Sequence, residues 1–484
     1  MLPRNVTVNA WFGPDVSSKC PLDSNAEDWL RGMRLVPARL PLFAPAQPNW
    51  TRWQDDRVGW SLLLSNRDDL VESQLAEPDP APEFEPIRRL WDARGRPPIY
   101  RYDPGNPNYL RRHARDGAVS QQDLDNAQTG YGIGIDQVPY YLLICNSPRV
   151  VPWEIQFRLN LSRAIGRLDL PKEGLDHYVT CMLDEWKESA ANPLNTVVWA
   201  TTSDWVTKVM NAAVAEPLCS HFRADSHLCE GAECLLGDQA TIEALLKALG
   251  RQRPGLIVTT SHGCMDLTRP GLSERLGVPV DALQELLMPV QLLEEWQPDG
   301  AIWLGLACCS AGAHSQNSFH GLLSLSSAVH DTMDRVASEL GPVVAPLPQA
   351  LLGAPRPLRA FIGHVEPTFD RTWYDENNGQ RLAEALVQAF YQHLYQPQSE
   401  PIGWALREHF LHYGTLRDGV DAGKEAWNNF DPNGSLRVMD AALRAIDVRN
   451  LVILGDPTVA LDFSRCSLPS MPDTKFSFRT FEGE

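Results

Sequence analysis

The sequence predicts an α/β fold: a mainly parallel six-stranded sheet with helices on both faces, preceded by an N-terminal α/β accessory region. Three observations predict it. From about residue 136, short and nearly continuous apolar runs recur, the pattern of strands covered on both faces. Stretches with helical apolar spacing lie between those runs. The first 130 residues differ, being rich in Pro, Trp and Arg and often broken by turn residues.

Taken in order, residues 1–135 form the accessory region, with short apolar pieces at 60–64 and 99–102. Within it, Pro78-Asp79-Pro80-Ala81-Pro82 reads as an extended linker or exposed loop. Residues 136–465 form the sheet domain. Its six strands fall at 140–145 (YYLLIC), 196–201 (TVVWAT), 256–261 (LIVTTS), 301–307 (AIWLGLA), 359–363 (RAFIG) and 450–454 (NLVIL). Helical spacing is clearest at 153–167, 203–214, 240–249, 283–296, 326–340 and 381–395. Residues 466–484 are a C-terminal tail.

Composition narrows the function. Forty-three Lys and Arg stand against 61 Asp and Glu, a formal net charge of −18. That balance argues against nucleic acid as the main partner, since a phosphate backbone needs a basic face. It argues equally against a polybasic membrane anchor. No apolar run approaches the roughly 18–20 residues that span a bilayer, and residues 1–18 lack the apolar core of a secretory signal. The ten cysteines form no dense framework and read as mostly reduced thiols of a cytoplasmic protein.

In open α/β sheets, function gathers past the carboxyl ends of strands. The third strand ends in Ser261-His262-Gly263-Cys264, and the fourth in Ala307-Cys308-Cys309-Ser310-Ala311-Gly312. Adjacent strand ends would bring an imidazole and a thiol together. His262 would then act as general base, or as an ion-pair partner lowering the thiol pKa. The backbone N–H groups of Gly263 and the nucleophilic cysteine would form an oxyanion hole. Either motif alone is equally the mark of a buried strand-end histidine or of buried cysteines.

Together they carry a resemblance. His262 precedes Cys308 by 46 residues, near the roughly 50 of the caspase order. A strand ending in His-Gly, then one ending in Ala-Cys with glycine close behind, resembles the caspase–gingipain group of cysteine peptidases, which includes CHAT-domain peptidases and metacaspases. The sequence is most similar to bacterial gingipain-like or CHAT-like members. The segments PWEIQFRLNLSRAIGRL, LLGDQATIEALLKAL, RAFIGHVEPTF and NLVILGDPTVAL extend the resemblance over about 136–462. It implies a six-stranded caspase-like fold and thiol peptidase activity without a catalytic metal or other cofactor. It also implies His262 as base, Gly263 in the oxyanion hole, and Cys308 or Cys309 as nucleophile. Ala307 before it favours Cys308. Glycine three residues after the nucleophile, as in gingipain and CHAT motifs, favours Cys309, and metacaspases use the second cysteine of a similar pair. Consecutive residues leaving a strand point to opposite sides, so only one thiol is expected to face His262. Peptidases of this group often select basic side chains with an acidic residue, for which Asp266 is the nearest candidate.

Other signals are weaker. Cys219, His221, His227, Cys229 and Cys234 place five soft ligands within 16 residues, but in no familiar zinc spacing. His364 and Glu366 share a face if the fifth strand continues, and either line the substrate cleft or form a structural pair. Gly455-Asp456-Pro457 reads as a turn. There is no P-loop or dinucleotide fingerprint. The reading is therefore a cytoplasmic, prokaryotic, caspase-like cysteine endopeptidase acting on a protein substrate. Relatives with this fold are often tied to defence or regulated cell death, which implies one dedicated partner protein. The main alternative is a non-catalytic caspase-fold scaffold; a third is a zinc hydrolase built on the 219–234 loop. Oligomeric state is not legible in the sequence.

Overall fold

The structure, a computed structural model, describes residues 2–33, 48–124, 130–268, 270–375, 379–395 and 400–463. The C-terminal tail and Cys466 lie outside the described residues. One large sheet dominates. Its strands, numbered here in chain order, are β1 (Trp60–Ser65), β2 (Ile99–Tyr102), β3 (Tyr109–His113), β4 (Val119–Asp123), β5 (Tyr141–Ile144) and β6 (Ala164–Arg167). There follow β7 (Asn192–Ala200), β8 (Ala232–Leu236), β9 (Pro254–Thr260), β10 (Ile302–Leu306), β11 (Ala360–His364) and β12 (Leu451–Gly455).

In space the order is β8-β7-β9-β10-β11-β12-β6-β5-β1-β2-β3-β4. Two parallel blocks meet at one antiparallel seam, β11 against β12. The first block is β8-β7-β9-β10-β11. The second is β12-β6-β5-β1-β2, closed by antiparallel β3 and β4. The class and the mainly parallel pairing agree with expectation, but the count of six strands is corrected to twelve. All six expected runs are strands. The other six are β1–β4, β6 and β8, so residues 60–123 supply four strands to the same sheet.

The misses have physical reasons. β6 was expected as the end of a helix over 153–167, yet the helix stops at Asn160 and the chain turns back as Ala-Ile-Gly-Arg. Arg167 is tolerated there because its guanidinium donates to Gln156 Oε1 and the Asn146 carbonyl and lies 4.6 Å over the Trp153 ring. The 78–82 segment is not a free linker. Asp79 is buried and accepts a 3.0 Å hydrogen bond from Arg101, itself buried in β2. Two long helices, Arg407–Asn428 and Gly434–Asn450, pack against each other and were not expected.

The zinc reading of the 219–234 loop is also corrected. Cys219 and Cys234 are joined to each other in a disulfide, so neither is a thiolate ligand. His221 is stacked on Tyr391. None of the other described cysteines is in a disulfide.

Apolar burial falls into four clusters among the described residues, the largest around the sheet and the second beside the carboxyl ends of β9 and β10. The second gathers Val6, Val8, Ala10 and Phe12 with Met265, Cys308, Cys309, Phe319 and Phe369. The alternation at 6, 8, 10 and 12 is that of a strand with one face buried. Burying each Val or Phe contributes about 1.5–3 kcal/mol, enough to hold this first segment of chain in place.

Candidate active site

Four neighbouring strands, β7, β9, β10 and β11, deliver their carboxyl ends to one edge of the first block. Parallel pairing of β9 with β10 runs to Thr260 opposite Leu306, so His262 and Cys308 emerge side by side. The Leu256–Thr260 segment is rich in β-branched residues and wholly buried, which suits a central strand. Beyond it, the chain must pass against the turn after β10. A Cβ on Gly263 would lie 1.9 Å from the Cys308 carbonyl oxygen, and one on Gly277 2.0 Å from that of Cys309. Glycine is required at both because the backbones touch. Gly263→Ala is therefore expected to destabilise the fold by about 1–3 kcal/mol, the usual cost of overpacking; a denaturant midpoint at wild-type value would contradict this.

His262 is 8% exposed. Its Nε2–H donates to Asp204 Oδ2 at 2.9 Å, and Nδ1 is buried with no protein partner. Because a carboxylate only accepts, this bond fixes the tautomer and leaves Nδ1 as the nitrogen that exchanges a proton. Sequence reasoning missed Asp204. It caps the helix Trp205–Met210, accepting from the Thr207 N–H and hydroxyl while Thr207 Oγ1 accepts from the Asp204 N–H. The D-x-x-T signal of a helix start was present, but nothing in it points to His262, 58 residues away. Burial alone would raise the Asp204 pKa; the His262 hydrogen bond and charge, with the bonds from Thr207, hold it at about 2. Since that is below the ordinary carboxylate value, the pair stabilises the fold above pH ~4 and is lost as pH falls toward 2. In protein whose Cys308 thiol has been made accessible, Asp204→Asn is expected to lower kcat with KM unchanged, and by less than the roughly 10²–10⁴ assigned to an acid–base group itself. A pure KM effect would show that Asp204 does not act through His262.

After β10 the chain makes a sharp turn. Ser310 N–H donates to the Ala307 carbonyl and Gly312 N–H to that of Cys309. Cys309 has φ +56°, a left-handed conformation uncommon for a side-chain-bearing residue. Ser310 ties the turn down, its hydroxyl donating to Gly305 O at 2.7 Å and accepting from the β11 backbone at His364 N. Both cysteines are buried, Cys308 entirely. The Cys308 sulfur accepts from Thr368 N at 3.2 Å, whereas Cys309 Sγ lies 3.9 Å from Met265 Sδ. The expected lowering of a thiol pKa is not seen. Burial pushes both thiols up; the neighbouring Cys309 adds to this for Cys308, and the Glu366 charge for Cys309.

The weaker candidates are placed as follows. Asp266 is buried; its Oδ1 accepts from Thr268 N–H and hydroxyl, and Oδ2 lies 3.7 Å from Arg275. That is the arrangement of a braced turn, with its charge already balanced by an arginine. His364 and Glu366 are both buried but do not pair. His364 Nε2 is 3.4 Å from Asp447, while Glu366 accepts from Ser318 and Asn450. Glu366 does line a small cavity with Cys309, Met265, His314 and Asn317. The Asp456 carboxylate accepts from Thr458, Trp60 and Arg94, the bonding of a structural turn.

The cleft edge is covered by the first segment of the chain. Ala10–Trp11 pairs in parallel with Gly263–Cys264, and Val8 bridges Phe369 in antiparallel fashion. The Cys308 N–H donates to the Asn9 carbonyl at 3.2 Å.

No family model matches the chain, and no curated protein matches it. Among solved structures it is similar to one described as the structure of a protease, at 11% identity and a TM-score of 0.45, covering 83% of this chain and 78% of that one. It is also similar to the Arg-specific cysteine proteinase gingipain R, at 11% identity and a TM-score of 0.38, covering 87% and 80%. A third is the complex of Porphyromonas gingivalis RgpB pro- and mature domains, at 11% identity and a TM-score of 0.34, covering 66% and 65%. Among the described residues, no helix is long and apolar enough to cross a membrane.

Proposed function

We propose that the chain is a caspase-like cysteine endopeptidase of the gingipain or CHAT type, with Cys308 as nucleophile and His262 as acid–base group. One observation carries the reading: the Cys308 N–H, beside Gly263 and His262, already holds a peptide carbonyl oxygen at 3.2 Å. This is the donor that acyl transfer requires for the developing oxyanion. In the reaction, the Cys308 thiol loses its proton to His262 Nδ1 and the thiolate attacks the scissile carbonyl. His262, oriented by Asp204, then protonates the leaving amine, and water hydrolyses the thioester. Residues 1 to about 130 control access or partner choice, and the substrate is a protein, in the manner of bacterial defence or cell-death enzymes.

A non-catalytic scaffold is the second reading, favoured by the complete burial of the Cys308 thiol. The two differ in a simple assay. Once the Cys308 thiol has been made accessible, hydrolysis of a fluorogenic peptide pool is expected to survive exhaustive chelation and to be abolished by iodoacetamide, because thiol chemistry needs no metal. Reversible loss on chelation, restored by zinc, would overturn the mechanism. Absence of hydrolysis even after the thiol is made accessible would favour the scaffold.

A further inference from the structure

Residues 8–11 do more than fill a core. They are clamped on both sides by main-chain bonds: Asn9 N–H to the Thr368 carbonyl at 2.9 Å, and Met265 N–H to the Trp11 carbonyl at 2.8 Å. An extended peptide added between two strand ends is the way grooves commonly hold peptides. Here the added strand also presents one carbonyl, that of Asn9, to the backbone N–H of a cysteine. Asn9 lies on the strand face opposite Val8 and Ala10, is wholly buried, and has neither carboxamide atom hydrogen-bonded. Buried polar groups are nearly always paired, and one that is not calls for an explanation. Asn5–Thr7 pairs antiparallel with Lys19–Pro21, and the return arm of this hairpin reaches the other half of the site. Ser18 accepts from Val8 N–H through its carbonyl, and its hydroxyl donates to Asp204 Oδ2, the oxygen that holds His262.

We infer that Val8–Trp11 is an internal blocking strand lying in the substrate groove, with Asn9 at the position of the residue whose carbonyl is attacked. The protein is latent while this strand is seated. The groove, once cleared, takes an extended peptide with a small, uncharged side chain at that position, since the surroundings of Asn9 are buried and offer its side chain no hydrogen-bond partner. This rests on the peptidase reading of the same site. It accounts for a thiol that is sealed and bonded to the Thr368 backbone while His262 Nδ1 has no partner. It also gives Asp266, whose charge Arg275 balances, no part in selecting a basic side chain.

The test displaces the strand in the full chain in two ways. One is the pair Val8→Asp and Ala10→Asp, which puts charges on the buried face. The other inserts a site for a sequence-specific protease between the exposed Pro14 and Asp15, cut in the native protein. The readout is the rate of Cys308 alkylation by iodoacetamide, mapped by mass spectrometry on protein that retains its thermal transition. The expected result is a rise of at least about tenfold, as a sealed thiol becomes accessible. A synthetic peptide of residues 5–12 added back should reverse it, and the same peptide with Asn9→Asp should do so less well. An unchanged rate in folded, displaced protein would overturn the inference. Should both variants unfold, amide exchange of the unaltered chain decides. Cys308 and Met265 amides, which donate to the strand, should exchange by local opening, well before Leu304 in β10; exchange only with global unfolding would overturn it. The peptidase reading fails separately: accessible Cys308 with no peptide hydrolysis sinks that reading and leaves the cover intact. Equal hydrolysis by seated and displaced protein does the reverse.

Discussion

His262→Ala, introduced into protein whose first strand has been displaced, is expected to lower peptide hydrolysis by at least about 10²–10⁴-fold, the usual cost of removing an acid–base group. The imidazole stands at the end of the strand paired with the one that carries the cysteine turn, and its Nδ1 has no protein partner. The fold should survive, because the strand before it, β9, is held by parallel neighbours on both sides. The check is a kcat/KM measurement beside a thermal melt. A folded variant within tenfold of the starting activity would remove His262 from the mechanism.

The second large effect separates the two cysteines. Cys308→Ser is expected to abolish hydrolysis, whereas Cys309→Ser should retain most of it. Cys308 donates its N–H to the peptide carbonyl, so its side chain leaves from the residue next to the reacting carbon. Cys309 instead faces Met265 and the small cavity lined by His314 and Glu366. Cys309 still has a structural part, since its φ of +56° sets the turn, and its substitution should show mainly as lost stability. Mass mapping of a thiol-directed inhibitor provides the second readout. An adduct on Cys309 with an active Cys308→Ser protein would reverse the assignment and leave the class of enzyme unchanged.

What could be read from the sequence was whatever is local and periodic. LIVTTSHG and AIWLGLACC each combine a buried-strand pattern with reactive residues at its end, and parallel pairing then makes their meeting a matter of topology. Asp204 was not legible, because D-x-x-T states only that a helix begins; that its second oxygen reaches His262 depends on β7 lying beside β9. The first strand was hidden in the same way. Val6, Val8, Ala10 and Phe12 alternate as a strand should, but among turn residues, and their partners lie more than 250 positions away at Gly263, Cys308 and Phe369. Composition misled elsewhere. Helix Arg407–Asn428 contains Gly414, Gly419 and Gly423, each costing roughly 1 kcal/mol against alanine in a helix. Gly423 is there because a Cβ would stand 3.0 Å from Val438 of the facing helix. A breaker by propensity is a packing residue in context, and only the tertiary structure tells the two apart.

The central claim is thiol-dependent peptide cleavage at this site. It is tested most directly by proteome-wide identification of new chain termini. Native lysate would be incubated with the strand-displaced protein, and in parallel with the same protein carrying Cys308→Ala and Cys309→Ala. The account predicts a small set of termini made only by the protein with its cysteines, sharing a small, uncharged residue before the cut. Identical termini from both proteins would contradict it.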